Sequence, residues 1–300
     1  MLHKQRIPTL YIGPGKLSVE KGSLLLHSKE GKSAIPVHQF SSIFLEPGTS
    51  ITHSAVKLCA DHGCLLNWVG EGGVRFYSSG LSKVARTDRL WKQAEMVLNK
   101  NKRLSVARRM YAYRFSIDSK LSSYNLQQLS GMEASRVKKT YQRLSEESGL
   151  VWEGRSFKTV GSSMKARVNL CISTANSCLY GLAHAAIVSA GYSPSLGFIH
   201  GRTAISFVLD IADLIKFQTV TRVAFQVASD TTINNPSRET RILCRELFKK
   251  MKFIHYIIPV MDDIISFRSG EDNEREALLK PFEFWPYANH ISKKSIKQIG

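Results

Sequence analysis

The chain has 300 residues, 43% of them hydrophobic, and 42 basic against 24 acidic residues for a formal charge of +18. That length suits one large or two modest domains, and two are expected here. A field of this sign repels basic partners and attracts a polyanion, with nucleic acid the first candidate and an anionic membrane surface the second.

In chain order, residues from about Ile7 to Tyr77 fall into short β-type runs (LYI, KLSVE, SLLLHS, SAIPVH, SSIFLE, CLLNWVG, GVRFYSSG) punctuated by glycine and proline. One helix interrupts them: Thr52 can cap HSAVKLCADH and Gly63 can end it. A polar link, SSGLSKVART, leads to the helix DRLWKQAEMVLNK, which Thr87 is placed to cap. Beyond it the apolar period changes from two to about three and a half residues. The expected class is therefore α+β: a small N-terminal β-rich domain, residues 1–86, then a larger all-helical domain, residues 87–300. Residues 1–88 hold ten basic and six acidic groups, so most of the charge excess lies on the helical part. There, NLCISTANSCLYGLAHAAIVSAG is rich in small residues, which suits a central buried helix stopped by Gly191 and Pro194. From about Arg268 onward charge and aromatics alternate without a clean period, and weak order or an added helix is expected.

No stretch reads as a membrane span or a secretion signal, so a cytoplasmic location is expected. The five cysteines (Cys59, Cys64, Cys171, Cys178, Cys244) are odd in number and form no CxxC pair. They read as reduced core residues rather than disulfides or zinc ligands.

Three features could carry chemistry. On the helix around Leu126 to Ser145, Glu133 falls inside the apolar face formed by Leu126, Leu129, Val137, Tyr141 and Leu144. A carboxylate there needs a partner: a salt bridge to Arg136 or another basic residue, or a metal ion. In SLGFIHGRTAISFVLDIADLIKF, Asp210 and Asp213 differ in direction by only ~60° on an apolar stripe, so they call for a cation. Capping, or pairing with Lys216, satisfies them too; otherwise a hard ion such as Mg²⁺ or Mn²⁺ does. His200 stands before that helix in the turn GFIHG, either as a surface residue or aimed at the same site.

The third feature is a basic stripe. Arg238, Arg241, Arg245, Lys249 and Lys252 recur at steps of three or four and fall within ~80° on one helix face. Either it is a solvated face or it contacts nucleic-acid phosphates. A shorter row of Arg136, Lys139 and Arg143 lies beside Glu133. No GxxxxGK[ST], GxGxxG or GxSxG motif is present, so nucleotide hydrolysis, dinucleotide redox and α/β-hydrolase chemistry lack their sequence supports.

Together LEPGTSITHSAVKLCADHGCLLNWVGEGGVRFYSSG, QLSGMEASRVKKTY and GFIHGRTAISFVLDIADLIKF resemble the Cas1 family, the integrases of CRISPR spacer acquisition, in the version of type I, subtype E systems. The likeness runs from about Tyr11 to Ile265. It implies a metal site built from Glu133, His200 and Asp213, with Asp210 auxiliary, holding Mg²⁺ or Mn²⁺. It also implies a homodimer joined through the β-rich domains and a complex with a small ferredoxin-like companion, Cas2. The implied reaction is attack by a 3′-hydroxyl of captured double-stranded DNA on a phosphodiester of the CRISPR repeat array. Arg75 matches a family arginine associated with DNA contact, and backbone binding is expected along Arg238 to Lys252, with Arg136 and Lys139 nearer the metal.

Two departures stand out. Pro14 replaces the tyrosine that wedges the duplex end in relatives, and the lysine expected after the histidine is out of register, so Arg202 is its candidate substitute. The competing readings are a structure-selective DNA repair nuclease and a non-catalytic architectural DNA-binding protein.

Overall fold

Strands β1 (Ile7–Ile12), β5 (Phe40–Leu45) and β7 (Leu65–Val69) run parallel, and β8 (Phe76–Ser79) closes the sheet antiparallel to β7 in the order β1-β5-β7-β8. A second sheet has the order β4-β3-β2-β6, built from β2 (Gly15–Glu20), β3 (Ser23–Ser28), β4 (Gly31–Ile35) and β6 (Thr49–Ile51). The computed structural model describes residues 7–71, 75–80, 87–115, 123–156 and 163–266. Nearly every residue of SSIFL and LLNWV is buried because a parallel strand covered on both faces has no wet side. Leu17, Leu24, Ile43 and Leu66 fill the space between the sheets with Cys59 of helix α1 (His53–Asp61). Phe44 and Val69 instead face the helices. Helix α1 begins as expected: the Thr52 hydroxyl accepts from Ala55 N at 3.3 Å.

The helical part comprises α2 (Asp88–Leu98), α3 (Lys100–Phe115), α4 (Leu126–Glu147), α5 (Met164–Ala190), α6 (Ser206–Ile215), α7 (Val220–Ser229), α8 (Pro236–Met251) and α9 (Phe253–Ser266). Thr87 precedes α2 but makes no side-chain cap; its helical backbone angles point the hydroxyl away from the free N–H groups. Asn125 does cap α4, reciprocally with Gln128. The small-residue segment forms the middle of α5, which packs against α6, α7, α8, α9 and β8 and ends at Gly191 in the left-handed conformation.

By length and composition alone α5 could cross a membrane, yet 61% of its most apolar window is buried inside the fold, as expected of a central helix. It is a core helix. Each Leu or Ile it buries, such as Ile172 and Leu179, stabilises by about 1.5–3 kcal/mol. All five cysteines are buried, and none of them forms a disulfide. The expected domain junction near residue 86 and the stretch after Arg268 lie outside the described residues.

Candidate metal centre and DNA-facing surface

The turn carrying His200 is folded back on itself. A Cβ on Gly197 would lie 2.5 Å from the His200 carbonyl oxygen and 2.8 Å from Ser206 Cβ, so only glycine lets the turn close on the start of α6. Three elements brace it. The buried amide of Gln93 on α2 donates to the carbonyls of Ser193 and Leu196 at 3.0 and 2.9 Å, and Arg103 on α3 donates to the Phe198 carbonyl at 2.8 Å. The third brace is Asp210. Its fully buried carboxylate accepts from the backbone N–H groups of Phe198, Ile199 and His200 at 2.5, 3.2 and 2.9 Å, and meets His200 Nδ1 at 2.8 Å.

Asp210 and Asp213, which their spacing alone directs toward one cation, have different partners in the structure. The N–H groups of the turn and the imidazole satisfy Asp210, whereas Asp213 turns toward Lys216 Nζ at 2.6 Å and Arg114 Nη2 at 3.4 Å. The bond to Asp210 raises the His200 pKa above its ordinary value against the opposing effect of burial, with the charges of Asp210 and Asp213 adding to the rise and that of Arg114 opposing it. With Nδ1–H donated to Asp210, the neutral tautomer presents the Nε2 lone pair, 3.9 Å from Asp213 Oδ2.

Glu133, on α4, is partnered not by Arg136 but by Arg114 of α3, whose side chain is 2% exposed. Tyr111, one turn earlier, donates its hydroxyl to Glu133 Oε2 at 3.1 Å. Arg114 thus links Glu133 to Asp213. Sequence reasoning missed it: RRMYAYRF shows no apolar period, and its burial depends on acids 19 and 99 positions away.

A cavity of about 360 Å³ opens beside these groups, lined by Arg114, Arg136, Lys139, Arg143, Arg222 and Asp213. The short row expected beside Glu133 is therefore one wall of a cationic hollow. Arg143 and Arg222 each also reach Glu147, at 3.5 and 3.6 Å.

The long stripe on α8 is not uniform. Arg238, Lys249 and Lys252 are exposed; Arg241 is half-buried and donates to Ser237 at 2.8 Å. Arg245 turns back to Glu46 after β5, 3.9 Å away. Arg75 is exposed, but its backbone is clamped: Gly70 N donates to its carbonyl at 2.8 Å, and a Cβ on Gly181 of α5 would lie 3.0–3.1 Å from its N, Cα and C. Beside it Phe76 stacks on His184 at 4.1 Å. Arg202 is exposed with a positive φ of 64°. Pro14 lies under the Gly48 turn, and Tyr11 packs edge-on against Phe44 at 4.9 Å.

A carboxylate and imidazole set next to a cationic hollow, on a β-plus-helical body of high positive charge, defines an enzyme that works on a phosphodiester polyanion. The comparisons narrow the class. Residues 10–147 and 115–241 match the family described as CRISPR associated protein Cas1. The CRISPR-associated endonuclease Cas1 of Geobacter sulfurreducens is 42% identical over 264 residues, 88% of this chain and 86% of the relative; that of Escherichia coli K12 is 41% identical with the same coverage. The crystal structure of the TtCas1–DNA complex superposes with a TM-score of 0.79 at 35% identity, covering 88% of this chain and 98% of the other. The chain belongs to the Cas1 family.

Proposed function

We propose that this chain inserts captured double-stranded DNA into a CRISPR array, using a divalent ion held by Glu133, His200 and Asp213. The observation that carries the reading is the meeting of α4, the His200 turn and α6 around Arg114, with Arg114 and Asp213 also lining the cationic cavity. The donor set fits a hard ion: two carboxylates supply oxygens, and the imidazole offers a nitrogen whose partner nitrogen is fixed by Asp210. When bound, Mg²⁺ or Mn²⁺ would polarise the scissile phosphate and stabilise the leaving oxygen.

The chain's own residues do the rest. Asp210 fixes the imidazole orientation, and Arg136 and Lys139 hold a phosphate at the cavity mouth. Arg75, Arg202, Arg238, Lys249 and Lys252 are exposed to meet the duplex backbone, and Arg241 and Arg245 stand half-buried in the same row. Since Pro14 offers no ring, Tyr11 is the group placed in that region of β1 to meet a duplex end.

The reading extends to assembly. The β-rich unit of residues 1–86 would join two copies, the helical unit of residues 87–300 would carry catalysis, and Cas2 would bridge dimers in the cytoplasm. Assignment to type I, subtype E rests on the resemblance of the three motifs alone. The test is integration of a labelled duplex into a repeat-bearing plasmid with Mn²⁺. Joined product from the native chain, with none from His200→Ala, supports the proposal; nicks alone would assign a repair nuclease instead.

A further inference from the structure

Each of the four oxygens of Glu133 and Asp213 already faces a donor of the chain. Glu133 Oε1 pairs with Arg114 and Oε2 accepts from Tyr111, while Asp213 Oδ1 accepts from Lys216 and Oδ2 lies 3.4 Å from Arg114 Nη2. Two carboxylates are balanced by two cations, so this acidic half of the centre lacks the net negative charge that draws a divalent ion out of water. Among the described residues, no three His, Cys, Asp or Glu side chains stand close enough to hold an ion as they are placed, and the Arg114 guanidinium links the two acids. Arg114 also lines the cationic cavity, on the side of Asp213.

We infer that Arg114 is an internal counter-cation that makes divalent-ion binding depend on a DNA phosphate. The inference rests on the metal-centre reading above. A divalent ion can take the Glu133 and Asp213 oxygens only by displacing the guanidinium, and two such charges against one pair of acids repel. A phosphodiester in the cavity removes the conflict. It supplies the missing negative charge and a new partner for Arg114, in a hollow that the arginine already borders. Loading of ion and DNA is then reciprocal: each tightens the other by the same factor. The free protein stays poorly loaded until a phosphodiester occupies the cavity. Tyr111, its ring centre 5.4 Å from the guanidinium carbon, keeps Glu133 oriented during the exchange.

The test is a Mn²⁺ titration read by electron paramagnetic resonance on the full chain, with and without a short blunt duplex, after subtraction of duplex alone. Native protein should bind the ion about tenfold more tightly with duplex, within the usual range of such couplings. Arg114→Gln should bind it nearly as tightly without duplex as the native chain does with it, leaving less than about a threefold effect of DNA. Arg114→Lys keeps a charge but cannot bridge two acids, so it should fall between, and it serves should the Gln variant not fold. Equal affinities in native and Arg114→Lys protein, at a site that His200→Ala abolishes, would overturn the role of Arg114 alone. Binding insensitive to His200→Ala would overturn the metal-centre reading beneath it.

Discussion

The two halves of the centre are held in opposite ways. The imidazole half is fixed by backbone: Asp210 takes three N–H groups of the turn, and Gln93 and Arg103 hold its carbonyls. The acidic half, Glu133 and Asp213, is held by cationic side chains that can leave, Arg114 and Lys216. Two aspartates three residues apart on one helix thus have different tasks. In the proposed centre one aims the imidazole, and the other is a ligand. A buried carboxylate saturated by N–H donors has no lone pair to give, whereas one paired with long flexible cations can exchange them.

The largest expected effect comes from the exchangeable half. Asp213→Ala, like His200→Ala, should lower strand transfer by about a thousandfold or more, because it removes groups that act on charge developing in the transition state. Filter binding without a divalent ion should show duplex affinity changed by less than about threefold, since most of the phosphate contacts lie elsewhere. Parallel loss of both would break the division drawn above.

The fixed half should fail more gently. Asp210→Asn keeps the shape of the turn but weakens the hold on the imidazole, and a loss of about 10–100-fold is expected, as for other groups that orient a metal-binding histidine. The same variant sharpens the comparison through pH. His200 titrates above its ordinary 6.5 in the metal-free protein, so its contribution to stability is present below the unfolded value and fades as pH rises through the folded one. Asp210→Asn should bring the imidazole titration, followed by nuclear magnetic resonance, back down. A His200 titration unmoved by the substitution would remove Asp210 from its assigned part.

Smaller effects lie further out. Gly181→Ala would press a methyl group against the Arg75 backbone, and overpacking of this kind costs about 1–3 kcal/mol. Duplex affinity should fall several-fold in Gly181→Ala, and much less when the change is made in an Arg75→Ala background; equal losses in both backgrounds would show that Gly181 does not act through Arg75. Smallest is the distinction along α8. Reversing Arg238 and Lys249 to Glu should flatten the salt dependence of duplex binding by about one unit of log–log slope per lost phosphate contact. Arg245→Glu should change that slope less and lower thermal stability instead, because it sets a carboxylate beside Glu46. Equal slopes for both substitutions would erase the difference.

Much of this was legible in the sequence. The change of period located the passage from strands to helices, Thr52 and Gly191 marked helix ends, and small residues identified α5 as the core helix. Glu133, His200 and Asp213 stood out as polar groups in apolar surroundings or glycine-flanked turns. What stayed hidden depends on contacts between distant segments. Nothing local in α3 marks Arg114 as buried, and Gln93 looks like any polar position on a helix until the turn 100 residues later closes over it. The separate roles of Asp210 and Asp213 were hidden too, since a helix gives their angular spacing but not which backbone folds over them. Strand β6, three residues long, is too short to show alternation, and it forms because Gly15 to Leu17 offers it a parallel edge.

The account turns on one ion shared by the two halves. Anomalous scattering from crystals grown with Mn²⁺ and a short duplex should show a single strong peak about 2.1 Å from His200 Nε2 and from oxygens of Glu133 and Asp213, with Arg114 turned toward phosphate. A peak bound to Asp210 with the turn displaced, or an ion held away from all three side chains, would contradict it.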